Sequence, residues 1–253
     1  MTDQSCDDRL FLSHIEDAIS IASNRDIPKF VGFLDERQRA VVTQYITAQK
    51  FDRYSFWGGY EGAKRVFFCA LACYSSVDDY SIFPIVPITF NYRKADTLSH
   101  RDFLGSLMAL NIKRSAVGDI LVGEGVCVVF VMATVAPMVL SEISKIGKVG
   151  VKAVEGLPEV LPISEDFEEI SGTVSSLRLD CLVGLMTKLS REKSSVLIES
   201  KKVSLNHFEC ENVSKLVKAG DIVSIRGYGR FKVSEILGVT KKERQKIKVL
   251  KYK

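Results

Sequence analysis

Residues 158–171, PEVLPISEDFEEIS, set the first limit on what this chain can fold into. Two prolines and five acidic residues leave little to bury and interrupt both helix and sheet pairing. The stretch reads as a linker over 158–172. It divides the chain into a long body and a shorter C-terminal module, and the 253 residues exceed the usual size of one domain.

Charge follows the same division. Residues 1–177 hold 17 Lys+Arg against 23 Asp+Glu, whereas residues 178–253 hold 18 against 8. A basic module on an acidic body predicts a polyanionic partner for the module. The plainer alternative is a surface that serves solubility. Hydrophobic residues at 46% and charged residues at 26% are those of a globular chain, which excludes a disordered one.

Little in the chain suggests catalysis. Cys6, Cys69, Cys73, Cys127, Cys181 and Cys210 form no C-x-x-C pair, and Cys69, Cys127 and Cys181 sit in apolar runs. Reduced thiols in a cytoplasmic protein are expected. Cys69 and Cys73 lie four apart without a second pair, so no metal and no cofactor are expected. His14, His100 and His207 fall in different regions, and no nucleophile–base set can be assembled. The acidic start, MTDQSCDDRL, argues against a secretory signal. The uncharged run 126–140 is shorter than a membrane span and is broken by Pro137, so it reads as a buried strand followed by a helix start. Neither a membrane partner nor a small-molecule substrate is expected.

The periodicities predict an α+β fold. Residues 1–84 form an α/β region that begins mostly helical. Leu10, Phe11, Ile15, Ala18, Ile19 and Ala22 recur at helical spacing, and Asp35 with Gln38 resembles a capping box. Residues 56–62, FWGGYEG, form a glycine-rich loop without nucleotide-binding spacing, and RVFFCALACY at 65–74 reads as a strand. Residues 85–157 give the order β-α-β-β-α-β of a ferredoxin-like domain. There Ser99 caps one helix, and a second runs from Thr134 through Ile143 and Ile146 to Gly147. A last strand is expected over Lys148–Val154. In the module, 173–253, helices are expected over Arg178–Leu189 and from Ser190 onward. Strands are expected at Val203–Leu205, Ile222–Ile225, Phe231–Ile236 and Ile247–Tyr252, with a turn at Asn206-His207.

Five short strings in the module occur in a familiar order. They are R-L-D at 178–180, S-R at 190–191, Ile198, V-x-L-N at 203–206 and G-D-I-V-S at 220–224. Over about fifty residues they resemble the S-four RNA-binding domain, named after the fourth protein of the small ribosomal subunit. The chain as a whole resembles the YlmH-like bacterial proteins, through FLDERQ at 33–38, KRSAVGDI at 113–120, TVSSLRLD at 173–180 and RGYGRFK at 226–232. The resemblance implies a C-terminal S-four domain whose two helices and following turn present a basic surface to structured RNA. It also implies a non-catalytic role on rRNA or tRNA, with the large ribosomal subunit carrying a stalled nascent chain and its tRNA as the partner. Two departures stand out: Lys201 occupies a place where the family often has glycine, and Asn206-His207 one where it often has Asn-Gly. A non-glycine residue held at positive φ there costs about 1 kcal/mol.

The candidate RNA contacts are Arg178, Lys188, Ser190, Arg191, Lys193, Ser194, Lys201, Lys202, Asn206, Arg226, Arg230 and Lys232. Arginine suits phosphate because its planar fork donates two parallel hydrogen bonds. A surface ion pair is the alternative for Arg178 and Arg191. Asp180 would repel phosphate, so it is expected to act as a helix-start charge or to orient a nearby arginine. Trp57 and the tail KKERQKIKVLKYK are read as packing and solvated surface respectively, with partner or RNA contact as the alternative. Two other functions remain open. One is an RNA-modifying enzyme, although R-L-D at 178–180 lacks the residues that follow it in pseudouridine synthases. The other is an adaptor whose acidic N-terminal body binds a protein while RNA tethers it.

Overall fold

The computed structural model describes residues 3–163, 167–240 and 243–252, with side chains from residue 8 onward. The Cys6 side chain and tail residues Lys241, Lys242 and Lys253 lie outside that description. The chain divides into two compact units, Met1–Ser164 and Glu165–Lys253.

The first unit begins with α1 (Asp3–Arg25), β1 (Lys29–Leu34) and α2 (Glu36–Ala48). Asp35 and Gln38 form the expected capping box: each side chain accepts the other residue's backbone N–H, at 2.8 and 3.0 Å. β2 (Tyr54–Trp57) and β3 (Val66–Ala70) complete an antiparallel sheet in the order β1-β3-β2. The region is thus less helical than its opening periodicity suggests. β3 is buried throughout because it is the central strand. Phe68 and Ala70 pack under α1 and α2, and Phe67 and Cys69 pack on the opposite face. That second face also holds Val128 and Phe130 of the next sheet.

The next sheet contains β4 (Ile85–Asn91), β5 (Val117–Val122), β6 (Val126–Met132) and β9 (Lys152–Glu155), with α3 (His100–Ala109) after β4 and α4 (Ala136–Glu142) after β6. The element order is the predicted β-α-β-β-α-β, and the strands lie antiparallel in the order β5-β6-β4-β9. Cys127, Val129 and Val131 face the cluster containing Phe103, Leu107 and Val139, while Val128 and Phe130 face the other way. Burial on both faces explains the unbroken apolar run.

The second helix of this sheet is shorter than expected. α4 ends at Glu142, Ile143 is extended, and Lys145–Ile146 (β7) pairs with Val149–Gly150 (β8) around a turn in which Gly147 has φ +57°. Ile143 and Ile146 are buried, but the three-residue spacing taken for a helix face belongs to an extended exit and a hairpin.

The second unit opens with β10 (Phe167–Val174), which overturns the reading of 158–172 as a linker throughout. Its eight residues pair in antiparallel register with β15 (Gln245–Tyr252). Glu168 and Glu169 are exposed on this edge strand, while Ile170 and Val174 turn toward the core. A Cβ at Gly172 would lie 2.3 Å from Leu185, so the glycine lets helix α5 (Leu179–Thr187) lie close on the strand. α6 (Arg191–Glu199), β11 (Val203–Leu205), β12 (Phe208–Glu209), β13 (Ile222–Ile225) and β14 (Gly229–Val239) follow. The sheet order is β10-β15-β14-β13-β11-β12. Leu179, Leu182, Val183, Met186 and Ile198 pack with Val223, Phe231, Val233, Ile247 and Val249 in its core.

Candidate nucleic-acid interface

The start of α5 is organised around a buried carboxylate. Arg178 occupies the N-cap position, and Leu179, Leu182 and Val183 draw that helix face into the core. The turn buries Asp180 with them, at 1% exposure. Arg178 meets it as a fork, with Nε and Nη2 each donating at 3.1 Å to separate carboxylate oxygens. Arg191, first residue of α6, donates from Nε to the same carboxylate at 2.9 Å, and the Cys181 backbone N–H adds a fourth bond at 2.9 Å. Burial pushes the Asp180 carboxyl up, but the hydrogen bonds and charges of Arg178 and Arg191 outweigh it and hold its pKa below the ordinary value. The same contact raises that of Arg191. Two guanidinium groups against one carboxylate leave a positive charge at the junction of the helices, with the Arg191 side chain 63% exposed. The expectation that Asp180 orients an arginine therefore applies to two arginines.

Ser190 caps α6 by accepting the Lys193 N–H at 3.4 Å, and Lys193 is exposed. Lys188 ends α5 in the left-handed region, φ +59°, also exposed. Ser194 is fully buried, and its hydroxyl donates to the Ser190 carbonyl at 2.9 Å. It packs the helices together and is withdrawn as an RNA contact. Asn206 is exposed, and its side chain also has a structural part. Its Nδ2 donates to Asp221 and its Oδ1 accepts from the Ile222 N–H, both at 2.9 Å, so the side chain clasps β11 to β13. Asn206 and His207 have φ of +49° and +73° between paired Leu205 and Phe208. That is the two-residue turn whose geometry normally selects Asn-Gly.

Four other candidates gather away from this junction. Lys201, Lys202, Arg226 and Arg230 line an open groove of about 540 Å³ with a single carboxylate, Glu209. The Arg226 N–H donates to the Lys202 carbonyl at 2.9 Å, tying the two segments together. Lys201 is held at φ +58° and pairs with Glu211 at 3.0 Å, which raises its pKa. The Arg230 guanidinium lies 5.0 Å from the Tyr252 ring centroid. Lys232, two residues along β14, is exposed but does not line the groove.

One basic residue was missed. Arg244 donates from Nε to the Thr173 hydroxyl at 3.0 Å and from Nη2 to its carbonyl at 2.7 Å. With Arg191 it lines a recess of about 250 Å³ beside Asp180 and Gly184. The only sequence signal was the basic tail. Among the described residues, no group of three or more His, Cys, Asp or Glu side chains could hold a metal ion. No described helix is long and apolar enough to cross a membrane.

Comparison with known proteins bears on this geometry. A family model described as "Putative RNA-binding domain in YlmH" matches residues 76–157, in the first unit. The ribosome-associated protein quality control protein P2 of Bacillus subtilis (strain 168) is 32% identical over 245 residues, covering 95% of this chain and 94% of that protein. The chain belongs to the YlmH family. A solved structure of a YlmH relative, cell division protein ylmH from Streptococcus pneumoniae, superposes with a TM-score of 0.52 at 19% identity. It covers 60% of this chain and 92% of that one, and it establishes a shared α+β fold. The family model lies outside the basic C-terminal unit, so that match and the arginine junction are separate observations.

Proposed function

We propose that this YlmH-family chain is a non-catalytic, ribosome-associated RNA-binding protein of the cytoplasm, acting in quality control of translation. Its C-terminal unit serves as an S-four domain and grips structured rRNA or tRNA on the large subunit. The carrying observation is the buried Asp180 that fixes Arg178 and Arg191 in place at the junction of two helices. An ion pair serving only stability would not need two cations on one carboxylate; the surplus charge suits phosphate. The relative's role in ribosome-associated quality control supports the setting. A second contact through residues 76–157 is favoured by the family model placed there.

The test is co-sedimentation of the full chain with separated ribosomal subunits across a salt series. Lys193→Glu/Lys202→Glu is the comparison, because both side chains are exposed and neither touches Asp180. Salt-sensitive binding to the large subunit, weakened in the variant, is expected. Each lost phosphate contact lowers the slope of log K against log salt by about 1. Equal sedimentation of both proteins would remove the C-terminal unit from the interface, and no binding to either subunit would overturn the proposal.

A further inference from the structure

The first unit carries a sheet edge that RNA binding leaves unexplained. β2 ends the order β1-β3-β2, so only one of its sides is paired. The register joins Tyr54 to Ala70 and Phe56 to Phe68, and one step beyond it the Leu71 N–H donates to the Arg53 carbonyl at 2.9 Å. Bonded and non-bonded pairs alternate along an antiparallel ladder. The Phe56 N–H and carbonyl therefore point away from β3, and among the described residues neither has a backbone partner. Apart from its length of four residues, β2 has none of the usual guards of an open edge: no charged side chain, no proline and no bulge.

Tyr54, Ser55 and Phe56 line an open groove of about 730 Å³. Side chains alternate across a strand, and here the two faces meet different walls. Tyr54 and Phe56 pack with the buried residues of α2. On the other face the Ser55 hydroxyl donates to the Val77 carbonyl at 2.9 Å, and Trp57 stacks on Tyr80 with ring centroids 4.1 Å apart. The free edge thus lies between α2 and the Val77–Tyr80 segment, whose two end residues are 50% and 40% exposed. The groove also holds Arg39 and Lys50 against a single carboxylate, Asp52. The Arg39 guanidinium is steadied 5.2 Å from the Phe56 ring centroid, and among the described residues neither cation has an ion-pair partner.

An unpaired strand edge between a helix and a loop matches an extended polypeptide. Main-chain bonds continue the ladder, and alternate side chains enter the groove. A phosphodiester backbone carries no alternating N–H and C=O groups to do the same. The surrounding body, with 17 Lys+Arg against 23 Asp+Glu over residues 1–177, also disfavours a polyanion more than a peptide with one or a few carboxylates. We propose that this groove binds an extended segment of a partner protein as an added strand on β2, with an acidic side chain against Arg39 and Lys50 and an apolar one against Val77 and Tyr80. This interaction is separate from RNA binding and does not rest on it.

The experiment selects displayed random peptides on the full chain, then measures the selected peptides as labelled synthetic copies by anisotropy and by hydrogen exchange of the complex. The selected peptides are expected to carry an acidic residue beside apolar residues at alternate positions, and binding should slow exchange of the Phe56 N–H. N-methylation of alternate peptide amides should abolish binding in one register and spare it in the other, because only every second amide faces β2. Arg39→Glu, at an exposed helix position, should weaken binding by about tenfold, the size of one lost charge-assisted bond. Its circular dichroism and its salt-sensitive sedimentation with ribosomal subunits should stay as in the wild type. Failure to select any peptide, protection elsewhere than 54–57, or tolerance of N-methylation in both registers would overturn strand addition. Binding of a single-stranded oligouridylate that Arg39→Glu abolishes would make the groove a nucleic-acid site, and self-association abolished by that variant would assign the edge to a second copy. Either result would overturn the proposal, and the sedimentation arm reports separately on RNA binding.

Discussion

Removing both arginines at the helix junction should be worse for the fold than removing the carboxylate they share. Asp180 is 1% exposed and accepts four hydrogen bonds, three of them from guanidinium groups. Asp180→Ala deletes the buried charge along with its partners' bonds, and both arginines can turn to water because their side chains are 32% and 63% exposed. Charge-assisted bonds contribute about 1.5–3 kcal/mol each but are not additive, and relief of desolvation offsets part of the loss, so a net cost of about 2 kcal/mol is expected. Arg178→Ala/Arg191→Ala instead strands the Asp180 carboxylate, for which an uncompensated buried charge costs about 3–5 kcal/mol. Urea unfolding at neutral pH should therefore rank the double arginine variant below Asp180→Ala, with the triple variant recovering stability. The pH dependence gives an independent check. In the wild type, the lowered Asp180 pKa contributes stability above the unfolded value near 3.8, and that stability is lost as pH falls through the folded pKa. Without the arginines, burial raises the folded pKa, and stability is lost as pH rises instead. The gap between wild type and the double variant should narrow toward acid. A double variant as stable as Asp180→Ala, or a gap independent of pH, would refute the reasoning.

Three other outcomes follow from local geometry. Lys188→Gly relieves a left-handed non-glycine cap, φ +59°, and should raise the thermal midpoint by an amount corresponding to at most about 1 kcal/mol, read by calorimetry. Gly59→Ala places a Cβ 2.3 Å from the Phe130 ring at a residue with φ +100°, and denaturant unfolding should show a loss of about 2 kcal/mol or more. Asp119→Ala removes the acceptor for the Tyr60 hydroxyl and the Lys64 and Arg65 N–H groups, at 2.9, 2.7 and 3.2 Å. Hydrogen exchange should then quicken in the segment 58–65.

The parts legible in the sequence were those decided by neighbours along the chain. The Asp35 and Ser99 helix starts, the apolar run of β6 and the α5 helix need only local spacing. The acidic stretch was misread because Glu168 and Glu169 lie on an edge strand with solvent on the outer side. Composition cannot distinguish such a strand from a linker until β15 is known to pair with it. Ser194 and Asn206 are small polar residues on the elements where contacts were expected. Only packing of α6 and the clasp to Asp221 and Ile222 show that their polar atoms are already committed. Arg178 and Arg191 are far apart for a helix pattern, yet one carboxylate joins them.

The two units also differ in what they can contribute to RNA affinity. Residues 76–157, where the family model falls, hold 8 Lys+Arg and 8 Asp+Glu, whereas residues 178–253 hold 18 and 8. Counterion release scales with the phosphates neutralised, so salt dependence should be set mainly by the C-terminal unit. Lys145, Lys148 and Lys152 form the densest basic stretch of the matched segment, on the β7–β8 hairpin and the start of edge strand β9. Reversing all three should change the salt slope of ribosome binding less than Lys193→Glu/Lys202→Glu, which is expected to lower it by about 2. If the first unit instead reads RNA shape, the triple variant will lose affinity by a similar factor at every salt concentration. A larger drop in slope for the triple variant would place the main phosphate contacts in the first unit, and the junction at Asp180 would then be a stability device alone.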